Sequence, residues 1–287
     1  MHAQVECPSS ARDVRDQDVV IVAVKGPSLP AIARDLPFML KPDGLLVFAM
    51  NGLPWWFCDG LDLGPPSVLQ SDLNEALDPH GLLRRVIDKS RVAGCVVSSS
   101  NEVVAPGVVL NSTPLRNRLI LGRPDGQTDT AIDILVTTLA SAGYDASWTP
   151  NIREALWLKM LLAVSAGPAA ALTGCALDQL VRDPNMLTLM VQVMREAATT
   201  GRTLGFHIPD DAGQRLGSYR GVPTRPSMLQ DIAAGRVPEI DNSIVAFDLL
   251  SRILKIPAPT LHLFCSLMQA KAQNIQGDKP QRGAQLT

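Results

Sequence analysis

Charge of one sign is what this 287-residue chain lacks first: 26 basic against 28 acidic residues leave a formal net charge of −2. That balance excludes the basic stripe expected of a nucleic-acid binder. Histidines are scarce, four in all and well separated, so no metal-ligand spacing exists and no metal is expected. The five cysteines, Cys7, Cys58, Cys95, Cys175 and Cys265, are odd in number and scattered. They form no disulfide framework and fit thiols kept reduced in a cytoplasm. Long apolar runs are missing as well. The longest, Met160 to Leu172, is interrupted by Ser165 and by Gly167-Pro168, which predicts no membrane span. No basic start followed by an apolar stretch reads as a secretory signal. Aromatic residues are few, at 4 %. What is present, 46 % hydrophobic and 19 % charged residues, is the composition of a globular chain long enough for two domains.

Along the chain the pattern changes once. "DVVIVAV" (18–24) and "LLVFAM" (45–50) are short, continuous, β-branched or apolar runs of the kind buried on both faces of a parallel sheet. Apolar residues from Leu29 to Leu40 recur at helical spacing, and "KPDG" reads as a turn, so these pieces form a βαβ unit. A helix over 67–79, a strand over 92–99 and two strands within "GVVLNSTPLRNRLILGRPDG" complete an α/β half. At "SWTPNIREALW" the composition shifts. Asn151 and Glu154 have capping-box spacing, and helices are predicted over 152–165 with a continuation broken at Pro168, then over 184–205, 227–235, 239–254 and 258–273. The expected domains are 1–148 and 149–287, with a polar, mobile tail from Gln273.

Lys159 stands alone in the apolar run "WLKMLLAVSAGPAAALTG". Its ammonium either snorkels to water on its flexible stem or stays buried, and burial lowers a lysine's pKa toward the range useful for proton transfer. Asn51-Gly52 follows a buried strand, which is the ligand-binding end of an α/β sheet, although Asn-Gly is also a favoured hairpin turn. Ser227 with Gln230 reads as a capping box. Pro238-Glu239 reads as a helix start, and Asp231 and Asp241 stand nearby. Lys25, at the end of the first strand, is either a surface lysine or a phosphate or ribose contact.

Taken in order, "DVVIVAVK", "NG", "APGVV…LILGRPDG", "NIREALWLK", "SMLQDIAAGRVPEID" and "IPAPT" resemble the ketopantoate reductase (2-dehydropantoate 2-reductase) family, from about Asp18 to about Lys271. "NGLPWWF" is similar to a spelling found in many bacterial paralogues. The resemblance implies a Rossmann-type sheet domain followed by an all-helical domain, with the site in a cleft between them. It implies NADPH-dependent reduction of ketopantoate, or a related 2-oxo acid, to the 2-hydroxy acid in pantothenate biosynthesis. By the same resemblance Lys159 is the catalytic proton donor, Glu239 a second catalytic group that orients substrate and cofactor, and Ser227 a contact to the substrate carboxylate. The same resemblance implies that Asn51 lies beside the nicotinamide and the catalytic lysine, contacting both substrate and cofactor, that Thr224 is a substrate-binding position, and that Lys25 is a cofactor contact. A cytoplasmic homodimer through the helical domain is the analogous expectation.

Two departures accompany the resemblance. No GxGxxG exists in the sequence, so the opening pyrophosphate-seating unit of a Rossmann domain is missing and the sheet reads as N-terminally truncated. Such a chain is expected to expose a hydrophobic sheet edge and to bind NADPH weakly. The second departure is in the pocket: positions at which the family carries substrate-binding asparagines are Ala163, Gly167, Leu177 and Thr224 here. Loss of directional polar groups predicts altered substrate choice. The alternative function is a non-catalytic paralogue that dimerises or binds a small ligand.

Overall fold

A computed structural model describes residues 6–99, 101–111 and 117–277. The tail expected from Gln273 is helical as far as Gly277; the rest of it and the middle of the "GVVLNSTPLRNRL" stretch lie outside the described residues. The described residues fall into two compact units. One contains the chain up to Asp59 together with Asp78–Leu156; the other contains Gly60–Leu77 together with the chain from Trp157 onward. The sequence suggests a single cut near residue 148. The contacts instead place an early helix with the later ones.

The first unit holds a five-stranded sheet. Its strands are β1 (Gln17–Val22), β2 (Leu40–Phe48), β3 (Val92–Ser98), β6 (Arg118–Gly122) and β7 (Asp145–Trp148), and they lie in that spatial order. All neighbours are parallel except β3 and β6, which are antiparallel. A separate antiparallel ribbon, β4 (Asn101–Ala105) with β5 (Val108–Asn111), lies between β3 and β6 in sequence. Short helices α1 (Leu29–Ile32), α2 (Leu36–Met39) and α4 (Leu82–Val86) line the connections. Helix α5 (Thr130–Ser141) starts from Asp129, whose carboxylate accepts the Ile132 N–H, and buries Ile132 and Leu135 against Leu45, Val47, Ala93, Cys95 and Leu121. "KPDG" is not a free turn but an irregularity inside β2. Gln17 pairs with Leu40 and Val19 with Leu45, and at Gly44 a Cβ would stand 2.7 Å from the Gln17 carbonyl oxygen. β1 is the edge strand of the described sheet, with Ile21 half exposed.

Gly94 and Gly122 are direct partners across β3 and β6. A Cβ on Gly94 would meet the Trp56 ring at 2.9 Å, and one on Gly122 would meet the Thr149 carbonyl at 2.5 Å and Ile152 at 2.7 Å. The two glycines therefore form a bare floor on which Trp56 and Ile152 rest.

The second unit is helical. Helix α6 (Ile152–Thr173) begins after Asn151, whose carbonyl accepts the Ala155 N–H, and crosses from the first unit into the second as one continuous helix of 22 residues. It does not stop at Ser165 or break at Pro168. The proline removes one ladder donor, the partner of the Val164 carbonyl, and the surrounding helices hold the remaining turns. By length and composition α6 could cross a membrane, contrary to the interrupted run expected from its sequence. Here 67 % of its most apolar stretch is buried in the protein. The unit also contains α7 (Leu177–Leu180), α8 (Pro184–Thr203), α9 (Ala212–Gly217), α10 (Ser227–Ala233), α11 (Ala246–Ile253) and α12 (Pro259–Gly277), and α6 touches α8, α10 and α11. Helix α3 (Val68–Leu77), from between β2 and β3 in sequence, belongs to this unit and packs on α11. Trp157 stacks on Phe247 at 4.0 Å and donates its indole N–H to the Ala197 carbonyl at 3.2 Å. The buried Glu196 carboxylate accepts the Leu261 N–H at 2.8 Å and the Thr260 N–H at 3.3 Å, capping α12.

Candidate functional site

In the sheet unit two candidate residues follow the ends of adjacent parallel strands. Val22 and Phe48 are register partners, and the Ala49 N–H extends the ladder to the Val22 carbonyl at 2.9 Å. Lys25, exposed, leads into a short 3₁₀ turn at Gly26–Ser28. Asn51, also exposed, precedes Gly52, whose φ of +88° is one that glycine adopts without strain. The hairpin reading of Asn51-Gly52 does not hold. β2 has parallel neighbours on both sides, and the chain after Gly52 runs into the buried residues Trp55, Trp56 and Phe57.

That segment is tied down by two arginines. Arg153, in the first turn of α6, donates to the carbonyls of Phe57, Asp59 and Pro124 at 2.8, 2.7 and 2.6 Å, and its guanidinium lies 5.8 Å from the Trp56 ring centroid. Arg84 lies over Trp55 and, with Lys89, hydrogen-bonds the Asp59 carboxylate. Burial pushes the Cys58 thiol up to about 12 despite both guanidinium groups, which disfavours its thiolate form. Desolvation also lowers the Arg153 pKa from its ordinary value, opposed by Asp59, Cys58 and Asp125.

In the helical unit Lys159 is half-buried on α6, with Ala163 and Gly167 following at one and two further turns on the same face. At Gly167 α10 comes close: a Cβ there would lie 3.3 Å from the Met228 sulfur. Met228 is buried, and its neighbour Ser227 is exposed at the first residue of α10. Ser227 is not the cap that its spacing suggests. Pro226 occupies the cap position, no side chain caps the helix, and Gln230 donates instead to the Arg225 carbonyl at 2.8 Å. The Thr224 carbonyl accepts the Leu177 N–H at 2.9 Å, tying the loop before α10 to the start of α7, and Leu177 itself is a core residue.

Glu239 is half-buried and does not start a helix. A π-type turn begins two residues later, over Asp241–Val245, and the Glu239 carbonyl accepts the Ser243 hydroxyl at 2.9 Å. The loop leading to it is pinned by Arg236, which bonds the buried Asp231 carboxylate at 2.8 Å through its side chain and the Asp231 carbonyl at 2.8 Å through its N–H. Asp231 is thereby committed to structure. Burial raises the Asp241 carboxyl above its ordinary range. Among the described residues no group of histidines, cysteines and carboxylates could hold a metal ion.

Lys159, Ser227, Thr224 and Glu239 thus belong to the helical unit, and Lys25 and Asn51 to the sheet unit. Sequence reasoning missed two participants. Met228 faces Gly167 from a different helix, a pairing no local spacing encodes, and Arg153 braces three carbonyls in two loops.

Residues 151–272 match the family described as Ketopantoate reductase PanE/ApbA C terminal. The chain is 33 % identical over 272 residues to a 2-dehydropantoate 2-reductase of Mesorhizobium japonicum, covering 94 % of this chain and 81 % of that protein. It is 31 % identical, with a TM-score of 0.82, to a crystal structure from Ralstonia solanacearum MolK2 assigned to the ketopantoate reductases, covering 94 % and 81 %. A D-mandelate dehydrogenase in ternary complex with NADH and anilino(oxo)acetate shares the fold at 16 % identity and a TM-score of 0.76, covering 93 % and 80 %. With a third of its residues shared across nearly its whole length, and with a mixed α/β sheet unit joined to a helical one, this chain belongs to the ketopantoate reductase family of oxidoreductases.

Proposed function

We propose that the protein reduces the ketone of a 2-oxo acid, 2-dehydropantoate or a close relative, to the 2-hydroxy acid, with Lys159 as proton donor. The observation that carries this reading is the half-buried Lys159 on an otherwise apolar face of α6, inside the segment that matches the family. NADPH, when bound, supplies the hydride to the carbonyl carbon. The carbonyl π electrons move to oxygen, and Lys159 Nζ gives that oxygen a proton, leaving the alcohol and a neutral amine that regains its proton from water.

The residues present suit the nicotinamide end of such a cofactor. Lys25 and Asn51 follow the carboxyl ends of neighbouring parallel strands, where α/β sheets take their ligands. In this reading Asn51 holds the nicotinamide side and Lys25 a phosphate or ribose oxygen. Ser227 binds the substrate carboxylate, Thr224 borders the substrate, and Glu239 orients both reactants. Ala163 and Gly167 leave the face beyond Lys159 without hydrogen-bonding side chains, which supports a close relative of 2-dehydropantoate with a less polar substituent over 2-dehydropantoate itself. Burial of α6 within the protein supports its reading as a core helix and not as a membrane span.

Turnover of a panel of 2-oxo acids, followed through loss of reduced-nicotinamide absorbance with NADPH and with NADH, tests the reading. Lys159→Ala is expected to lower kcat about 10²- to 10⁴-fold with little change in KM. Unchanged kcat in that variant would remove Lys159 from the chemistry, and no oxidation of either nicotinamide with any 2-oxo acid would remove the activity itself.

A further inference from the structure

Arg153 directs its guanidinium at backbone. Its Nε donates to the Phe57 carbonyl at 2.8 Å, and its terminal nitrogens donate to the Pro124 carbonyl at 2.6 Å and the Asp59 carbonyl at 2.7 Å. One planar group thus gathers carbonyls from two stretches of chain, the one after β2 and the one after β6, and a lysine's point charge cannot reproduce that fork. The two stretches leave the sheet at one level, since Phe48 at the end of β2 and Gly122 at the end of β6 are both register partners of Gly94 in β3. There Trp56 and Ile152 rest on the glycine floor, with the guanidinium 5.8 Å from the Trp56 ring centroid. All of these contacts lie within the sheet unit. Arg153 therefore stands where the segment that begins at Asn51 passes the first turn of α6, and Lys159 follows about 9 Å further along the axis of the same continuous helix. Arg84 and Lys89 also hold Asp59, but they come from the chain before β3 and tie the segment to nothing on α6.

We propose that Arg153 is a positioning residue for the reduction: by clamping residues 57–59 onto the first turn of α6, it fixes Asn51, at the head of that segment, relative to the helix that carries the proton donor. It acts through Asn51 and Lys159 and needs no contact with either reactant. The role rests on the reduction proposed above. Hydride and proton go to adjacent atoms of one carbonyl, so a shift of about 1 Å between the groups that hold cofactor and donor costs up to about 10²-fold in rate.

Steady-state turnover of the native chain, Arg153→Lys and Arg153→Ala tests this role, using reduced nicotinamide with hydrogen or deuterium at the transferred position. Each variant is held well below its own thermal midpoint, where it is fully folded, so that lost stability alone leaves kcat unchanged. The expected result is a kcat about 10- to 100-fold lower in both variants, with KM for the 2-oxo acid within about threefold of native and a deuterium effect on kcat at least as large as the native one. Arg153→Lys keeps the charge and part of the contact, so it carries the test where the alanine variant does not fold. Unchanged kcat in a folded variant overturns the role. So does a deuterium effect that vanishes, because a step other than hydride transfer would then be limiting. A native chain that oxidises neither nicotinamide removes the reduction and this role with it, whereas an active native chain with equally active variants removes this role alone. Hydrogen exchange of the native chain needs no variant: the Phe57, Asp59 and Ala155 amides, bonded to the Pro54, Trp56 and Asn151 carbonyls, should open with one free energy. A Phe57 amide that opens well before that of Ala155 overturns the clamp.

Discussion

Gly201 shows how little slack single residues have here. A Cβ at that position would lie 2.4 Å from both the Trp157 indole nitrogen and the Ile208 side chain, on the helix that also receives the Trp157 hydrogen bond. Gly201→Ala is therefore expected to cost roughly 1–3 kcal/mol, read from the urea midpoint, because neither neighbour can withdraw without losing its own packing. Asp59 makes a prediction in pH. Burial alone would raise its pKa, but hydrogen bonds from Lys89 and Arg84, and then their charges, outweigh burial and hold the carboxyl below its ordinary range. A carboxylate depressed in the folded state contributes stability in full above its unfolded pKa of about 3.9, and that contribution is lost as pH falls through the lower folded value. The stability difference between the native chain and Asp59→Asn should accordingly be constant above about pH 5 and shrink in more acidic solution. At this scale the candidate site was partly legible. Lys159 announced itself because an ammonium in an apolar helix is conspicuous, and Asn51 because it follows a buried strand. The competing cap readings of Ser227 and Glu239 could not be settled by spacing, since a proline one residue earlier took one cap position and the following helix began two residues later than the other required.

Helices and strands were legible where their periodicity was strong and misread where a side chain elsewhere decided the matter. The β1 and β2 runs, β3 and the long helices follow from apolar patterning. α6 did not end at Gly167-Pro168, because residues on both sides of the proline are buried, and tertiary packing offsets the single hydrogen bond a proline removes. β2 absorbed "KPDG" since Gly44 lets the Gln17 carbonyl approach the chain. A comparable long-range dependence governs α12, whose first N–H groups are capped from another helix by the buried Glu196. Replacing that residue by alanine leaves the Leu261 N–H buried without an acceptor. Glu196→Ala is expected to lose about 1–3 kcal/mol, and Glu196→Gln, which keeps an acceptor oxygen, less; chemical denaturation of both variants checks the order.

For the whole molecule the sequence suggested two consecutive domains, whereas the helical unit recruits Gly60–Leu77 from between two strands of the sheet unit. No local pattern reveals such a transfer, because an amphipathic helix does not name its partner. A chain beginning at residue 149 lacks α3, the helix packed on α11, and is expected to show weakened helical circular dichroism and increased binding of a hydrophobic dye. A peptide of residues 60–77 added in trans should reverse both changes, and a fragment indifferent to that peptide would show α3 to be dispensable. The arrangement also imposes a schedule on synthesis. Leu77 ends α3 and Ala246 begins α11, so roughly 170 residues must be translated between the helix and its partner. At about 5–20 residues per second that interval lasts about 10–30 s. For that time the nascent chain carries the Leu73 and Leu77 face without its native cover, so the interval before α11 emerges is the one in which this fold is most exposed to failure.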